Sequence, residues 1–331
     1  MFKNIVVAGS GTLGSQIAFQ AAYKGFKVVI YDINDDALAK AKERIANLEQ
    51  TYASEIQFAE KNYLQTAENI QYNSNLLPGL KETFTANVIK STRDVQSSPD
   101  RIRYSKDLKD ATAKADLLIE AIPEIIAIKE DFYAQLGKVA PKDTIFATNS
   151  STLLPSQFAK TTGRPEKFLA LHFANEIWRN NTAEIMGHAK TDPDVYEQVV
   201  EFAKALGMIP IRVQKEQPGY VLNSILIPLL DAAQLLLANE VADPETIDRT
   251  WMLATGSPQG PFGILDVVGI QTAYNIVQNY ATTTNDEHFK RVATILKTNY
   301  LDKGKFGVSS GQGFYTYPNP RFRDPDFLRG E

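Results

Sequence analysis

The stretch that decides the fold is Ile5-Val6-Val7-Ala8-Gly9-Ser10-Gly11-Thr12-Leu13-Gly14, in which an apolar, β-branched run ends in the pattern G-x-G-x-x-G. Small and apolar residues at helical spacing follow it, and a second apolar run covers residues 27–31. Gly9 permits a tight turn, Gly11 lets the backbone approach a pyrophosphate, and Gly14 lets a helix pack close to a strand. The stretch therefore predicts a strand, a glycine-rich turn and a helix in that order.

The acidic residue after the second run completes the pattern of a dinucleotide site. Asp32 lies 18 residues after Gly14, where a carboxylate accepts hydrogen bonds from the adenosine ribose. The start of the preceding helix offers free N–H groups and a positive dipole end to the phosphates. Because a carboxylate repels a 2′-phosphate, and Ile33 and Asn34 are not basic, the sequence favours NAD over NADP. The predicted cofactor contacts here are Gly9, Gly11, Thr12, Leu13, Gly14 and Asp32.

Composition narrows the class of protein. The chain has 331 residues, a formal net charge of −4 and no cysteine. The missing thiols exclude disulfides, thiolate catalysis and cysteine metal sites, and we predict no metal. The mild negative charge favours neither nucleic acid nor an anionic membrane as a partner. Since no apolar run is long enough to cross a bilayer, we expect a cytoplasmic protein that acts on a small molecule.

Strand-like and helix-like segments alternate as far as residue 213. This alternation predicts the α/β class, with a Rossmann-type, doubly wound parallel sheet. Residues 35–48 have the spacing of a helix, and residues 50–101 indicate helical pieces around a loose connector. We predict an NAD-binding domain over residues 1–215, with a helical excursion at 50–101.

From residue 216 onward the pattern changes to long apolar helices, including single helices at 220–237 and 262–277. We predict an all-helical domain over residues 216–331 that serves substrate binding and dimerisation. The apolar run at 225–230 needs burial, either inside its own domain or against a second copy of the chain. We favour a homodimer formed through these C-terminal helices.

Two residues fit acid–base chemistry. His172 ends the strand-like run 168–171, and ligands bind at the carboxyl ends of strands in a doubly wound sheet. Glu184 lies between apolar residues of a second strand-like run, where a carboxylate needs a partner. Paired with His172, it would set the imidazole tautomer and stabilise the imidazolium. The alternatives are a structural histidine and an outward-facing glutamate on an edge strand.

The segment Thr148-Asn149-Ser150-Ser151-Thr152 also follows a strand-like run at its carboxyl end. Hydroxyl groups at this place can reach a substrate oxygen. The alternative is that they cap the helix that follows.

Taken together, these motifs resemble the L-3-hydroxyacyl-CoA dehydrogenase family over nearly the whole chain. The resemblance is carried, in order and spacing, by Gly9-x-Gly11-x-x-Gly14, Glu120-Ala121-Ile122-Pro123-Glu124, Thr148-Asn149-Ser150-Ser151, Leu171-His172-Phe173-x-Asn175, Glu184-Ile185, Pro218-Gly219-Tyr220-Val221-x-Asn223, Pro258-x-Gly260-Pro261-Phe262 and Gly311-x-Gly313-Phe314-Tyr315. The resemblance implies a Rossmann-type domain followed by a helical dimerisation domain. It also implies an NAD-dependent interconversion of a 3-hydroxyacyl compound and its 3-keto form.

The resemblance also implies roles for individual residues. His172 would be the general acid and base, and Glu184 its partner. Ser151 and Asn223 would join the catalytic set by hydrogen-bonding the substrate oxygens and the nicotinamide side, and Asn175 would help hold the substrate carbonyl. Further cofactor contacts are implied for Glu124, Lys129 and Asn149.

The sequence departs from the family pattern after His172. Ala174, Glu176 and the pair Asn180-Asn181 replace an aromatic residue, a proline and a Met-Lys pair. The amino-acid sequence here and around residues 147–155 is similar to that of the diketoreductases, which act on a dicarbonyl ester without CoA. The alternatives to an acyl-CoA substrate are therefore a diketo ester or a sugar acid of the gulonate type. A further alternative is a catalytically silent NAD-binding protein.

Overall fold

The computed structural model describes residues 2–61, 84–324 and 326–330. The chain divides into two compact units, Met1–Val221 and Leu222–Glu331. The middle of the predicted helical excursion at 50–101, residues 62–83, lies outside the described residues.

The first unit contains an eight-stranded sheet in the order β3-β2-β1-β4-β5-β6-β7-β8. Its strands are β1 (Asn4–Ala8), β2 (Lys27–Tyr31), β3 (Ile102–Ser105), β4 (Leu117–Glu120), β5 (Ile145–Thr148), β6 (Phe168–Phe173), β7 (Thr182–Met186) and β8 (Ile209–Val213). All neighbours are parallel except β6 and β7, which are antiparallel. The predicted parallel, doubly wound sheet is confirmed apart from this pair, where the eight residues 174–181 are too few for a crossover helix.

Helices cover both faces of the sheet. They are α1 (Thr12–Tyr23), α2 (Asp35–Lys61), α3 (Phe84–Ser97), α4 (Leu108–Thr112), α5 (Ile126–Val139), α6 (Pro155–Phe158) and α7 (Pro193–Ala205). Within β1, Ile5 and Val7 join one apolar core while Val6 and Ala8 join another. The period-two alternation of one buried strand thus builds a three-layer arrangement.

Helix α2 runs 27 residues without a break, well beyond the predicted end at residue 48. Leu48, Tyr52, Ile56 and Ala59 are buried at helical spacing along it. This face packs into the core shared with α1, and that burial carries the helix through a polar sequence.

The second unit contains α8 (Leu222–Ala238), α9 (Pro244–Thr255), α10 (Pro261–Val268), α11 (Ile270–Thr284) and α12 (Glu287–Ile295). The single helix predicted at 262–277 is wrong. Gly269, with φ of 93°, separates α10 from α11. A left-handed residue of this kind ends a helix, and glycine adopts it without a Cβ penalty.

Short turns of helix complete the described chain. They are the 3₁₀ turns Pro99–Arg101, Pro165–Lys167, Leu301–Lys303, Val308–Ser310, Arg321–Arg323 and Phe327–Arg329, and the π turn Leu296–Tyr300. Among the described residues, no helix combines the length and hydrophobicity that a bilayer crossing requires.

Two buried aspartates hold the C-terminal glycine motifs. Asp248 accepts the N–H groups of Phe262 and Gly263 at the start of α10, at 2.8 and 2.9 Å. Asp266 accepts the N–H groups of Phe314 and Tyr315 at the same two distances. The second unit is therefore cross-linked by buried carboxylates at points where backbone donors would otherwise be unpaired.

Candidate active site

The glycine-rich turn lies where the strand order reverses between β1 and β4. Gly9 has φ of 96°, and a Cβ on it would lie 2.4 Å from the carbonyl oxygen of Ala121. A Cβ on Gly14 would lie 2.0 Å from the carbonyl oxygen of Gly9. Among the described residues, a Cβ on Gly11 would meet nothing within 4 Å, and no side-chain hydrogen bond caps the N-terminus of α1. The turn is closed on its protein side and open above Gly11, which fits a pyrophosphate at the helix N-terminus.

Asp32 follows β2 beside this turn. Its Oδ2 accepts the backbone N–H of Ser10 at 2.8 Å and the Ser10 hydroxyl at 2.5 Å. Arg44 on α2 donates to the carbonyl oxygen of Ser10 at 3.0 Å. Sequence reasoning missed Arg44, because 12 residues separate it from Asp32 and only the packing of α2 brings it to the turn.

His172 on β6 and Glu184 on β7 lie directly opposite each other in the antiparallel register. Residues paired in this way point to the same face of a sheet. The imidazole Nδ1 lies 2.9 Å from the Oε2 of Glu184, and both side chains are buried. The other carboxylate oxygen, Oε1, accepts the backbone N–H of Val221 at 2.9 Å. The antiparallel direction of β7, which the sequence analysis did not predict, brings the two residues together.

The second imidazole nitrogen faces a hydroxyl. Nε2 of His172 lies 3.2 Å from the Oγ of Ser151. The tautomer is set by the carboxylate, which calls for a proton on Nδ1 and leaves Nε2 as the acceptor. A substrate hydroxyl next to Ser151 would therefore find a basic nitrogen.

Glu124 holds the loop that carries Ser151. Its Oε1 accepts the hydroxyl of Ser150 at 2.5 Å and the backbone N–H groups of Ser151 and Thr152, both at 3.1 Å. Partial burial opposes ionisation of Glu124, but the bond from Ser150 and the charge of Lys129 outweigh it, and the pKa of this carboxyl lies below its usual value. Glu124 is thus a fixed anion at the mouth of the site.

Lys129 and Glu120 form a buried ion pair behind Glu124. The Lys129 Nζ lies 2.6 Å from Glu120 Oε1 and 3.2 Å from Glu124 Oε2. Glu120 also accepts the hydroxyls of Tyr133 and Thr148, both at 2.8 Å. The side chain of Lys129 is 1% exposed, and its nitrogen is held by these two carboxylates and by the carbonyl oxygen of Ile122 at 3.4 Å. Sequence reasoning did not give Glu120 a role, although a lone acid at the end of an apolar strand was a signal for a buried partner.

The three asparagines lie in different surroundings. The Asn149 amide oxygen accepts the N–H of Phe173 at 3.0 Å, which ties the ends of β5 and β6 together. Asn175 is exposed, just beyond β6. Asn223 belongs to α8, in the second unit. Its role remains a prediction from the resemblance.

The polar segment at 174–181 is anchored on the helices of the first unit. The side-chain oxygen of Gln16, on α1, accepts the N–H of Glu176 at 2.9 Å. The guanidinium of Arg179 pairs with Glu55 on α2, and lies 3.6 Å from the carboxylate of Glu176. The charge of Arg179 is therefore balanced within the protein.

Tyr220 is the site residue that sequence reasoning left without a function. Its ring stacks on that of His172, with centroids 4.6 Å apart and planes within 12°. Its hydroxyl donates to the carbonyl oxygen of Ser150 at 2.7 Å. Burial and the nearby carboxylates, Glu124 first, raise the pKa of this phenol well above its usual value, so it stays a neutral donor.

A glycine-rich turn that is open at a helix N-terminus, an acidic residue beside it and an imidazole–carboxylate pair are the features of an NAD-dependent oxidoreductase that acts on CH–OH groups. The chain belongs to the 3-hydroxyacyl-CoA dehydrogenase family. Residues 4–83 and 78–217 match the family's NAD-binding domain, and residues 219–317 match its C-terminal domain.

Named relatives agree with this assignment. The chain is 31% identical over 315 residues to the mitochondrial hydroxyacyl-coenzyme A dehydrogenase of Homo sapiens, covering 95% of this chain and 91% of the relative. It is 31% identical to a probable 3-hydroxybutyryl-CoA dehydrogenase of Bacillus subtilis, covering 95% and 97% of the two chains. A solved structure of a diketoreductase, described as acting on dicarbonyl compounds, is 50% identical, with a TM-score of 0.79 and 96% and 99% coverage. Because these relatives are named as dehydrogenases and a reductase, they argue against the alternative of a catalytically silent NAD-binding protein.

Proposed function

We propose that this enzyme interconverts a 3-hydroxyacyl compound and its 3-keto form, with His172 as general acid and base and Glu184 as its partner. The observation that carries the proposal is the contact of 2.9 Å between Nδ1 and the buried carboxylate. It leaves Nε2 as the proton acceptor beside Ser151. Bound NAD would take up a hydride in oxidation and return it in reduction.

The protein's own groups then move one proton. In oxidation, Nε2 of His172 accepts the proton of the substrate hydroxyl, and Glu184 stabilises the imidazolium that results. In reduction, the imidazolium returns this proton to the carbonyl oxygen. We assign Ser151, Asn223 and Asn175 to hydrogen bonds with substrate oxygens.

We assign the pyrophosphate to Gly9, Gly11, Thr12, Leu13 and Gly14. Asp32 takes the adenosine ribose, and Glu124 the nicotinamide ribose. Lys129 supports that contact through Glu124, because its nitrogen is buried between two carboxylates. Asn149, which ties the ends of β5 and β6 together, would complete the cofactor contacts.

The test of the acid–base role is His172→Ala, with His188→Ala as the matched control. His188 contacts the carbonyl oxygen of Pro165, away from the pair. Removing a positioned acid–base group costs ~10²–10⁴ in rate, while binding of NADH, followed by its fluorescence, should be unchanged. A kcat for His172→Ala within threefold of that of the control would remove His172 from the mechanism.

We further propose that the physiological substrate does not need CoA. The diketoreductase at 50% identity favours this choice, and so does the polar segment at 174–181, in which the charge of Arg179 is already balanced. The CoA phosphates require Lys or Arg within hydrogen-bonding reach, whereas residues 50–101 carry five basic residues against six acidic ones.

A matched pair of substrates decides this point. A free 3-keto ester and the CoA thioester of the same acid should show similar kcat/KM in the reduction of the ketone. A value more than ~100-fold higher for the thioester, equal to about 2.7 kcal/mol, would establish an acyl-CoA enzyme instead.

We propose a homodimer formed through the C-terminal helices. Along α8, Ile225 is 66% exposed and Leu236 is 41% exposed, and they are eleven residues apart, which places them on one helical face. Light scattering should give twice the chain mass of 36.8 kDa, and Ile225→Asp should lower it. A monomer for the unmodified chain at micromolar concentration would contradict the proposal.

A further inference from the structure

The turn at residues 218–221 contacts two of the groups that the proposed mechanism uses and the residue next to a third. Tyr220 covers one face of the His172 ring, and its hydroxyl holds the carbonyl oxygen of Ser150, next to Ser151. The following N–H group, that of Val221, holds Glu184. We propose that Tyr220 is a positioning residue for the acid–base pair, an inference that rests on the proposed role of His172.

The backbone of the turn supports this inference. Gly219 and Tyr220 have φ of 81° and 54°. For a residue with a bulky side chain, a backbone conformation in the left-handed region costs ~1–2 kcal/mol of conformational free energy. Such a conformation persists only where its surroundings determine it, and here it serves two contacts at once. It presents the ring to His172, and it directs the next N–H group to Glu184.

Stacking also has an electrostatic effect on the imidazole. An aromatic face stabilises a cation above it, so the ring favours the imidazolium that forms when His172 takes a proton. Within the described part of the chain, the titratable groups that face the imidazole are Glu184 on β7 and Tyr220 itself, while Glu124 and Glu120 act on the phenol from farther away. Because the phenol is buried and remains neutral, its contribution comes from the ring face and from the fixed hydrogen bond.

Two substitutions separate these contributions. Tyr220→Phe keeps the ring and removes the bond to Ser150, and should lower kcat about threefold to tenfold. Tyr220→Leu removes the ring as well, and should lower kcat by ~10–100-fold, in line with a small misplacement of reacting groups. Both variants should bind NADH normally and leave KM for the ketone within about twofold.

The pH profile provides a readout that a merely structural residue would not change. Ketone reduction requires the imidazolium, so activity falls as the pH rises through a midpoint. Loss of the ring in Tyr220→Leu should move that midpoint down by ~0.5 pH unit, whereas Tyr220→Phe should keep it. The matched control is Tyr196→Leu, since Tyr196 also donates to a backbone carbonyl, that of Ile185, at 2.9 Å.

A double-mutant cycle completes the test. In a His172→Ala background, Tyr220→Leu should have no further effect on the residual rate, because the group that it positions is gone. Equal and additive losses in both backgrounds, or an unchanged midpoint in Tyr220→Leu with a folded protein, would overturn the positioning role. Full activity of His172→Ala would instead overturn the proposed function, so the two failures are distinguishable.

Discussion

Replacing Glu184 by Gln should lower kcat by ~10²–10⁴ without unfolding the protein, because of the contacts that its two carboxylate oxygens make. The Oε1 of Glu184 is held by the N–H of Val221, and Oε2 by Nδ1 of His172. In Glu184→Gln the N–H of Val221 can be accepted only by the amide oxygen. The amide NH₂ group then faces Nδ1, where it donates rather than accepts.

This exchange inverts the imidazole tautomer. A donor opposite Nδ1 makes that nitrogen the acceptor and moves the proton to Nε2, which faces Ser151. A protonated Nε2 cannot accept the substrate's proton, and the imidazolium meets a second donor at Nδ1 instead of a carboxylate. Loss of a positioned base with its counter-charge corresponds to ~10²–10⁴ in kcat, or about 3–5 kcal/mol of the barrier.

The assay follows the absorbance of reduced nicotinamide, with a 3-keto ester for reduction and the corresponding 3-hydroxy ester for oxidation. Glu197→Gln is the control, because this exposed glutamate pairs with Arg212 on the surface. Glu184→Asp retains the negative charge but has a shorter side chain, so its carboxylate lies farther from His172. This variant should keep part of the rate that Glu184→Gln loses. If Glu184→Gln retains a kcat within about threefold of the control, the tautomer argument is refuted.

Three further predictions concern the cofactor and stability. Asp32→Ala should narrow the preference for NADH over NADPH in kcat/KM, because the carboxylate that repels a 2′-phosphate is removed; an unchanged ratio would deny that role. Lys129→Met should lower the free energy of unfolding of the first unit by ~3–5 kcal/mol in denaturant unfolding, since Glu120 is left as a buried, unpaired charge. Lys204→Met, at an exposed ion pair, should leave that free energy unchanged. A loss under ~1 kcal/mol for Lys129→Met would contradict the argument. Burial raises the pKa of Asp248 from 3.8 to about 6, so its contribution to stability is complete below pH 3.8 and is lost as the pH rises through about 6. Relative to Asp248→Asn, the unmodified protein should therefore lose thermal stability between pH 4 and 7, and parallel curves would rule this out.

Local signals were sufficient for the first part of the fold and for the cofactor. The turn at residues 9–14 depends on which residues tolerate a positive φ and a close backbone approach, and both properties belong to single glycines. Burial on both faces is likewise visible in one strand at a time, as in the continuous apolar run of β1. The Rossmann-type class, the NAD cofactor and the family therefore followed from the amino-acid sequence.

Other features needed the tertiary structure, because they depend on which distant segments meet. The direction of β7 is decided by the length of one connection and by its neighbours, and it alone places Glu184 opposite His172. The continuation of α2 to Lys61 depends on burial against α1 rather than on helix propensity.

At the site, too, some residues were recognisable from the sequence, while their contacts needed the tertiary structure. His172 and Ser151 were recognisable as strand-end residues, but the carboxylate network behind Ser151 joins side chains from β4, α5 and β5. Tyr220 stood in a recognisable motif without a role, since only the packed structure stacks it on the imidazole. A sequence shows which residues are chemically capable; their contacts arise from long-range packing, in which each partner's position is set by the rest of the core.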